Sequence, residues 1–197
     1  MNDSIRVAQV IPYSGRAQGG PVLGLAAYCQ QLVERACQVT LYSVAHPGDG
    51  PQMDFDPRVH IETSHRSRGG SFRWSPELRA RALAGSFDIV HSHCLFMDVN
   101  RLAAQMARKN GVPHLLAPCG HLQPGALARA QWKKRLSRFL FQNRALREAA
   151  CLHAKSEAEL DGIRALGITK PVALFPNPIA PPPPRDALDP QDWREQH

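Results

Sequence analysis

Residues 5–44 read IRVAQVIPYSGRAQGGPVLGLAAYCQQLVERACQVTLYSV, and this stretch decides the fold. The apolar run Ile5–Ile11 predicts a buried strand that stops at Pro12. A glycine-rich turn follows, and apolar residues then recur at helical spacing between residues 22 and 36. The run Val39–Val44 predicts the next strand. Strand, glycine turn, helix and strand in this order indicate the first βαβ unit of an α/β protein.

The same alternation continues along the chain. Further strands are predicted at Val59–Ile61, Phe87–His91, His114–Ala117, Cys151–Ala154 and Val172–Phe175. Helices are predicted at Pro76–Ala84, Val99–Lys109, Leu127–Ala149 and Glu157–Leu166, the last with a capping box made by Ser156 and Glu159. We therefore expect one α/β domain over residues 1–179, a doubly wound, Rossmann-like parallel sheet of about seven strands. Residues 180–197 are expected to form a proline-rich, disordered tail.

The composition is that of a folded protein and excludes a disordered, collagen-like or polytopic membrane chain. Of 197 residues, 43% are hydrophobic and 21% charged. No apolar stretch approaches the roughly 18 residues of a spanning helix, and the N-terminus lacks a secretory signal, so a cytoplasmic location is expected. Five scattered cysteines without a C-x-x-C pair argue against a disulfide framework and a zinc knuckle.

The net charge of +7 comes from one region. Residues 99–147, which include Lys133 and Lys134, hold ten Lys and Arg and no Asp or Glu, whereas the rest of the chain is net acidic. Such a region usually meets phosphate or anionic lipid. The alternative interpretation is a solvated basic helix face. No nucleic acid is expected, because the region lacks a base-reading motif.

Gly19 and Gly20 lie between a predicted strand and a helix N-terminus, where free N–H groups and the helix dipole favour phosphate. The spacing is neither G-x-G-x-x-G nor a Walker motif, which argues against a dinucleotide-binding site and a P-loop NTPase. A tight turn that needs a positive φ angle is the structural alternative.

His91 and His93 are two residues apart on a strand and therefore point to one face, near the carboxyl end where doubly wound sheets bind ligands. A metal would need a third ligand, which is not evident, so no metal is predicted. A histidine that contacts a substrate hydroxyl or phosphate is favoured instead. Cys119 beside His121 lacks an orienting acid, which argues against a catalytic thiol.

Several segments together resemble the N-terminal domain of family 4 glycosyltransferases of the GT-B fold. The segments are Gly19-Gly20-Pro21, Phe87-Asp88-Ile89-Val90-His91-Ser92-His93, Ala117-Pro118-Cys119-Gly120-His121-Leu122, Trp132-Lys133-Lys134, His153-Ala154-Lys155-Ser156-Glu157 and Phe175-Pro176-Asn177-Pro178. Their order and spacing cover nearly all of residues 4–179. The resemblance implies a retaining, metal-independent transfer of a sugar from a nucleotide-sugar to a polysaccharide or lipid-linked acceptor in envelope glycan synthesis, without a cofactor.

The resemblance also implies roles for individual residues. Gly19 and Gly20 would approach the donor diphosphate, and His93 would lie beside the transferred sugar as the catalytic residue, supported by His91. Gly120 and His121 would line the acceptor side. Lys133 and Lys134, on the basic helix, would face the acceptor's phosphate or the inner face of the cytoplasmic membrane.

This sequence departs from the family pattern at three points. Cys119 stands where relatives frequently carry a basic residue, and Pro178 replaces the glycine of a Pro-Asn-Gly turn. No Glu has another Glu eight positions later, so the family's E-x7-E motif, which belongs to a second Rossmann domain, is missing. We therefore expect an acceptor-side half that is inactive alone, either as a truncated gene product or as one subunit of a split enzyme whose donor domain is a separate polypeptide. The alternative is a non-catalytic acceptor- or membrane-binding module.

Overall fold

The computed structural model describes residues 4–65, 70–123, 125–126 and 143–178. Seven parallel strands form one sheet in the order β3-β2-β1-β4-β5-β6-β7. They are β1 Arg6–Val10, β2 Gln38–Val44, β3 His60–Ser64, β4 Ile89–His93, β5 His114–Ala117, β6 Cys151–Ala154 and β7 Val172–Leu174. The predicted seven-stranded, doubly wound parallel sheet is confirmed. Its strand order reverses between β1 and β4, which opens a crevice at the carboxyl edge.

Helices cover both faces of this sheet. They are α1 Gly20–Glu34, α2 Pro76–Ala84, α3 Asp98–Asn110, α4 Asn143–Glu148 and α5 Glu157–Ala165. On one face, the α1 residues Val22, Leu25 and Cys29 pack against β1 and β2. On the other, α2 packs against β2 and β3, α3 packs against β1 and β4, and α4 and α5 pack over β5 and β6. The core therefore lies in two apolar layers, one on each side of the sheet.

Local signals in the sequence account for the helix ends. Ser75 precedes α2, and its Oγ accepts a hydrogen bond from the Leu78 N–H at 3.2 Å. Gly111 ends α3 in the left-handed region with φ +65°, where its N–H reaches the last turn. In the described part of the chain, no helix combines the length and apolar character needed to cross a membrane.

Most predicted bounds agree with the structure within two residues. The predicted strand Val59–Ile61 is displaced to His60–Ser64, because Val59 N–H closes a turn on the Asp56 carbonyl at 2.9 Å and pairing starts only at the next residue. The predicted strand Phe87–His91 begins two residues later, since Phe87 N–H is held by the side chain of Asn110.

The capping box predicted before α5 is only half right. Ser156 Oγ accepts from Glu159 N–H at 3.3 Å, as expected. The Glu159 carboxylate, however, accepts from Lys155 N–H at 3.1 Å, so the return bond reaches one residue before the cap. Of the predicted helix Leu127–Ala149, residues 127–142 lie outside the described residues and the remainder contains α4. The tail over 180–197 also lies outside the described residues.

Candidate functional site

The crevice at the carboxyl edge is bordered by the segments that follow β1, β4, β5 and β6. In sequence these are residues 11–19, 94–97, 118–123 and 155–156. Of the predicted site residues that the structure describes, Gly20 begins α1 and the others lie on these strands or in these segments. Lys133 and Lys134 lie outside the described residues, and their acceptor role stays a prediction.

Gly19 forms the turn that enters α1. Its φ of +67° and ψ of −139° fall in a region that essentially only glycine adopts, which confirms the turn interpretation. A Cβ built on Gly19 or Gly20 would meet no atom within 4 Å, so both backbones are open to approach. Pro21 has no N–H, and the N–H groups of Val22 and Leu23 donate to the Gly19 carbonyl. The first turn therefore offers a ligand the Gly20 N–H and the helix dipole.

His91 and His93 lie on the same face of β4, as predicted, with their ring centroids 4.2 Å apart. Both are buried, at 1% and 2% exposure. His93 Nε2 lies 2.9 Å from Oε1 of Gln9, on the neighbouring β1. His91 Nε2 lies 3.4 Å from Nδ1 of His153, on β6. Three strands thus contribute to one buried histidine cluster, consisting of Gln9, His91, His93 and His153.

The carbonyl of Phe175 sets the tautomers in the histidine cluster. It can only accept, so His153 Nε2, at 3.0 Å, carries the proton and His153 Nδ1 is a bare acceptor. His91 must then donate through Nε2, which leaves its Nδ1 as a lone pair. The side-chain carbonyl of Gln9 can also only accept, so His93 donates to it through Nε2 and keeps a lone pair on Nδ1. Within the described residues, the Nδ1 atoms of His91 and His93 and the Gln9 amide nitrogen meet no hydrogen-bond partner.

Tyr28 and the segment after β7 cover the histidine cluster. The Tyr28 ring meets His91 edge-on at 5.6 Å and stacks on Phe175 at 6.0 Å. The Phe175 ring in turn stacks on His153 at 3.7 Å. A Cβ on Gly24 would lie 2.4 Å from the side chain of Asn177, so a glycine in α1 lets that segment approach. Tyr28 and Gly24 were not predicted as site residues from the sequence. The position of Tyr28 next to Cys29, on the apolar face of α1, was the one available indication that its ring is partly buried.

Burial keeps this cluster neutral. It lowers the pKa of His153 to about 4 and the pKa values of His91 and His93 well below their usual range, since charging a buried ring loses hydration. The pKa of His114, whose Nε2 lies 2.8 Å from Ser92 Oγ, is lowered to about 4 for the same reason.

These shifts predict a loss of stability in mild acid. The unfolded histidines take up protons near pH 6.5 while the folded ones stay neutral, so the free energy of unfolding falls as the pH drops from about 6.5 to 4. Each histidine lowers the free energy of unfolding by at most about 1.4 kcal/mol per pH unit. Urea unfolding at several pH values measures the slope. A flat profile between pH 6.5 and 4.5 would contradict the prediction.

The loop after β5 is tied to the loop after β4. His121 Nδ1 accepts from Leu95 N–H at 2.9 Å, and its ring stacks on Phe96 at a centroid distance of 6.2 Å. Gly120 before it has φ +78°. His121 therefore holds the two loops together, and its predicted contact with an acceptor stays a prediction. In the described ranges, no three His, Cys, Asp or Glu side chains are grouped in a way that could hold a metal ion.

A buried ion pair holds the loops at the β1–β2 end of the crevice. Arg73 Nη1 and Nη2 bind the two carboxylate oxygens of Asp49 at 2.5 and 2.6 Å. Arg73 also donates to the carbonyls of Pro12 and Val44, which end the first two strands. Burial opposes ionisation of Asp49, but Arg73 outweighs it and the pKa of Asp49 is lowered. A Cβ on Gly15 would lie 2.0 Å from the Asp49 carbonyl, so this loop needs its glycine.

A cavity of about 350 Å³ opens beside this ion pair. Ser14, His46, Asp49, Gln52 and His65 are among the residues that line it. Sequence reasoning did not anticipate it, because its walls come from loops with no regular hydrophobic pattern.

The sequence matches a known protein family over most of its length. The model of the "Glycosyl transferase 4-like domain" family matches residues 19–178. The chain belongs to the glycosyl transferase 4-like family. The match runs from the glycine turn before α1 to the segment after β7, so it includes Gly19 and the three histidines of the histidine cluster, but not Gln9. No curated protein matches this sequence at a significant level.

Solved structures show the same fold. HepE from Anabaena, solved with UDP and glucose, matches with a TM-score of 0.58 and 15% identity over 89% of this chain and 45% of its own. A UGT transferase from Siraitia grosvenorii, solved with UDP, matches with a TM-score of 0.54 and 14% identity, over 86% of this chain and 47% of its own. UDP-GlcNAc 2-epimerase from Methanocaldococcus jannaschii matches with a TM-score of 0.53 and 10% identity, over 86% of this chain and 45% of its own.

The chain thus spans slightly less than half the length of the solved structures that it resembles. Because a transferase and an epimerase share the fold, the fold does not choose the reaction. The family match, which rests on the sequence, relates this glycosyl transferase 4-like domain to the transferases.

Proposed function

We propose that this chain is the acceptor-side half of a retaining glycosyltransferase. It would transfer a sugar from a nucleotide-sugar to a polysaccharide or lipid-linked acceptor in envelope glycan synthesis. The family match over residues 19–178 carries the proposal. The complexes of structural neighbours with UDP support a nucleotide-sugar as the donor.

The crevice supplies the chemistry that this half would contribute. The diphosphate of the donor would approach Gly20, where the backbone is open and the dipole of α1 favours negative charge. The unpaired Nδ1 lone pairs of His91 and His93 need hydrogen-bond donors, and sugar hydroxyls are donors. Because both rings are buried and Tyr28 packs against His91, a sugar would reach these rings only after neighbouring groups such as Tyr28 move.

The donor's leaving diphosphate needs more positive charge than the described crevice offers. Lys155 lies at the end of β6, next to the crevice. Stabilisation of a leaving group's developing charge is worth several kcal/mol per contact. We propose that a second domain, in the same or a separate polypeptide, supplies the remaining contacts. The basic region within residues 99–147 would face the acceptor's phosphate or the anionic inner face of the membrane.

The proposal predicts a specific effect of Gly20→Val in the assembled enzyme. A branched side chain at this open position blocks the diphosphate, so the KM for the nucleotide-sugar should rise about tenfold, which corresponds to ~1.4 kcal/mol. The fold should persist, because a Cβ at Gly20 would meet no atom within 4 Å.

Steady-state transfer of a radiolabelled sugar gives the measurement. Leu23→Ala, at a 62% exposed position on the same helix, is the matched control and should leave the KM unchanged. An unchanged KM in Gly20→Val would place the diphosphate elsewhere and remove this part of the proposal.

A further inference from the structure

Two thiols lie together where β4 and β5 end. The strands pair in parallel, with His93 opposite Ala117, and Cys94 and Cys119 follow within two residues of that pair. Each thiol is close enough to shift the pKa of the other. Both cysteines are reduced. Tyr13, from the segment after β1, contacts Cys94 through its hydroxyl at 3.3 Å, so three strand ends meet at this pair.

The two thiols are unequal in access. Cys94 is fully buried, whereas Cys119 is half-buried. Both have φ angles in the left-handed region, +66° and +52°. Because only Cys119 is partly exposed, an oxidant from solvent reaches Cys119 before Cys94.

The surroundings also favour Cys119 as the thiolate. Hydrogen bonding from the Cys94 thiol, with further help from Lys155, lowers the pKa of Cys119, although burial and Glu159 oppose this. The same contact and burial raise the pKa of Cys94 well above its usual range. One thiol is thus suited to attack and its neighbour to follow.

We propose that Cys94 and Cys119 form a thiol–disulfide exchange site whose oxidant is a low-molecular-weight disulfide. The Cys119 thiolate attacks one sulfur of that disulfide, breaks its S–S bond and releases one small thiolate. The Cys94 thiol then loses its proton and attacks Cys119 Sγ, which releases the second small thiolate. Two protein thiols are oxidised to one disulfide, and one small disulfide is reduced to two thiols.

The bond would join the loops after β4 and β5, beside the ring of His121 that already connects them. The proposal is independent of the proposed function, since it concerns only the thiols of this chain.

Incubation of the chain with glutathione disulfide, followed by thiol counting and non-reducing peptide mapping, tests it. We expect the five free thiols to fall to three, with Cys94 and Cys119 in one cross-linked peptide pair. Dithiothreitol should restore all five. Five thiols that stay unreacted, or a glutathione adduct that persists on Cys119 in the unmodified sequence, would overturn the proposal.

Variants separate the two roles. Cys94→Ser should accumulate a stable glutathione adduct on Cys119, whereas Cys119→Ser should leave Cys94 unreacted. Cys37→Ser and Cys151→Ser, at half-buried thiols outside this pair, are the controls and should form the cross-link normally. Faster reaction at Cys37 or Cys151 than at Cys119 would contradict the assignment. The test in the unmodified chain does not depend on whether a variant folds.

Discussion

Asp49→Asn is expected to lower the free energy of unfolding by about 3–5 kcal/mol. The substitution keeps the size of the side chain but removes the charge that compensates Arg73. Arg73 is 9% exposed and Asp49 3%, so the guanidinium would stay buried without its counter-ion. An uncompensated buried charge is among the most costly defects in a folded protein.

The ion pair also connects three separate segments. Asp49 accepts from the side chain of Gln18 at 2.8 Å and from His46 N–H at 3.0 Å. Arg73 adds the carbonyls of Pro12 and Val44. Loss of the carboxylate should therefore loosen the crevice loops after β1 and β2 together.

Urea unfolding followed by circular dichroism measures this effect. Asp54→Asn is the matched control, because its 86% exposed carboxylate pairs with the half-exposed Arg16. Exposed pairs contribute little, so the control should change the free energy by less than about 1 kcal/mol. Equal losses in the two variants would show that the buried pair has no special role.

Much of the fold follows from local sequence. Local sequence alone indicates several elements. They are marked by the apolar runs at β1 and β5, the glycine turn before α1, and the serine caps Ser75 and Ser156. The shared face of His91 and His93 follows from the period of two along a strand.

The remainder depends on contacts between distant residues. Asp49 and Arg73 are 24 positions apart, and no local pattern marks them as partners. His153 lies on β6, which is two strands from β4 in the sheet. Its place in the histidine cluster therefore depends on the order of the strands, which local sequence does not indicate. Asn177 reaches Gly24 across the sheet edge, a contact that the helix pattern of α1 alone cannot indicate.

We expect no turnover of nucleotide-sugars by the 197-residue chain alone, a loss of essentially all activity relative to the assembled enzyme. In the described segments that border the crevice, the positive groups near a leaving diphosphate would be the N-terminus of α1, Lys155 and Arg16, which is paired with Asp54. Several missing electrostatic contacts at several kcal/mol each slow a reaction by many orders of magnitude.

The most direct test is the release of nucleoside diphosphate from a panel of nucleotide-sugars. The purified chain is assayed alone and together with the donor-domain polypeptide, with a membrane extract as the acceptor source. We predict background release by the chain alone and sugar transfer by the two polypeptides together. Robust turnover by the chain alone, or background release by both, would contradict its assignment as the acceptor-side half of a glycosyltransferase.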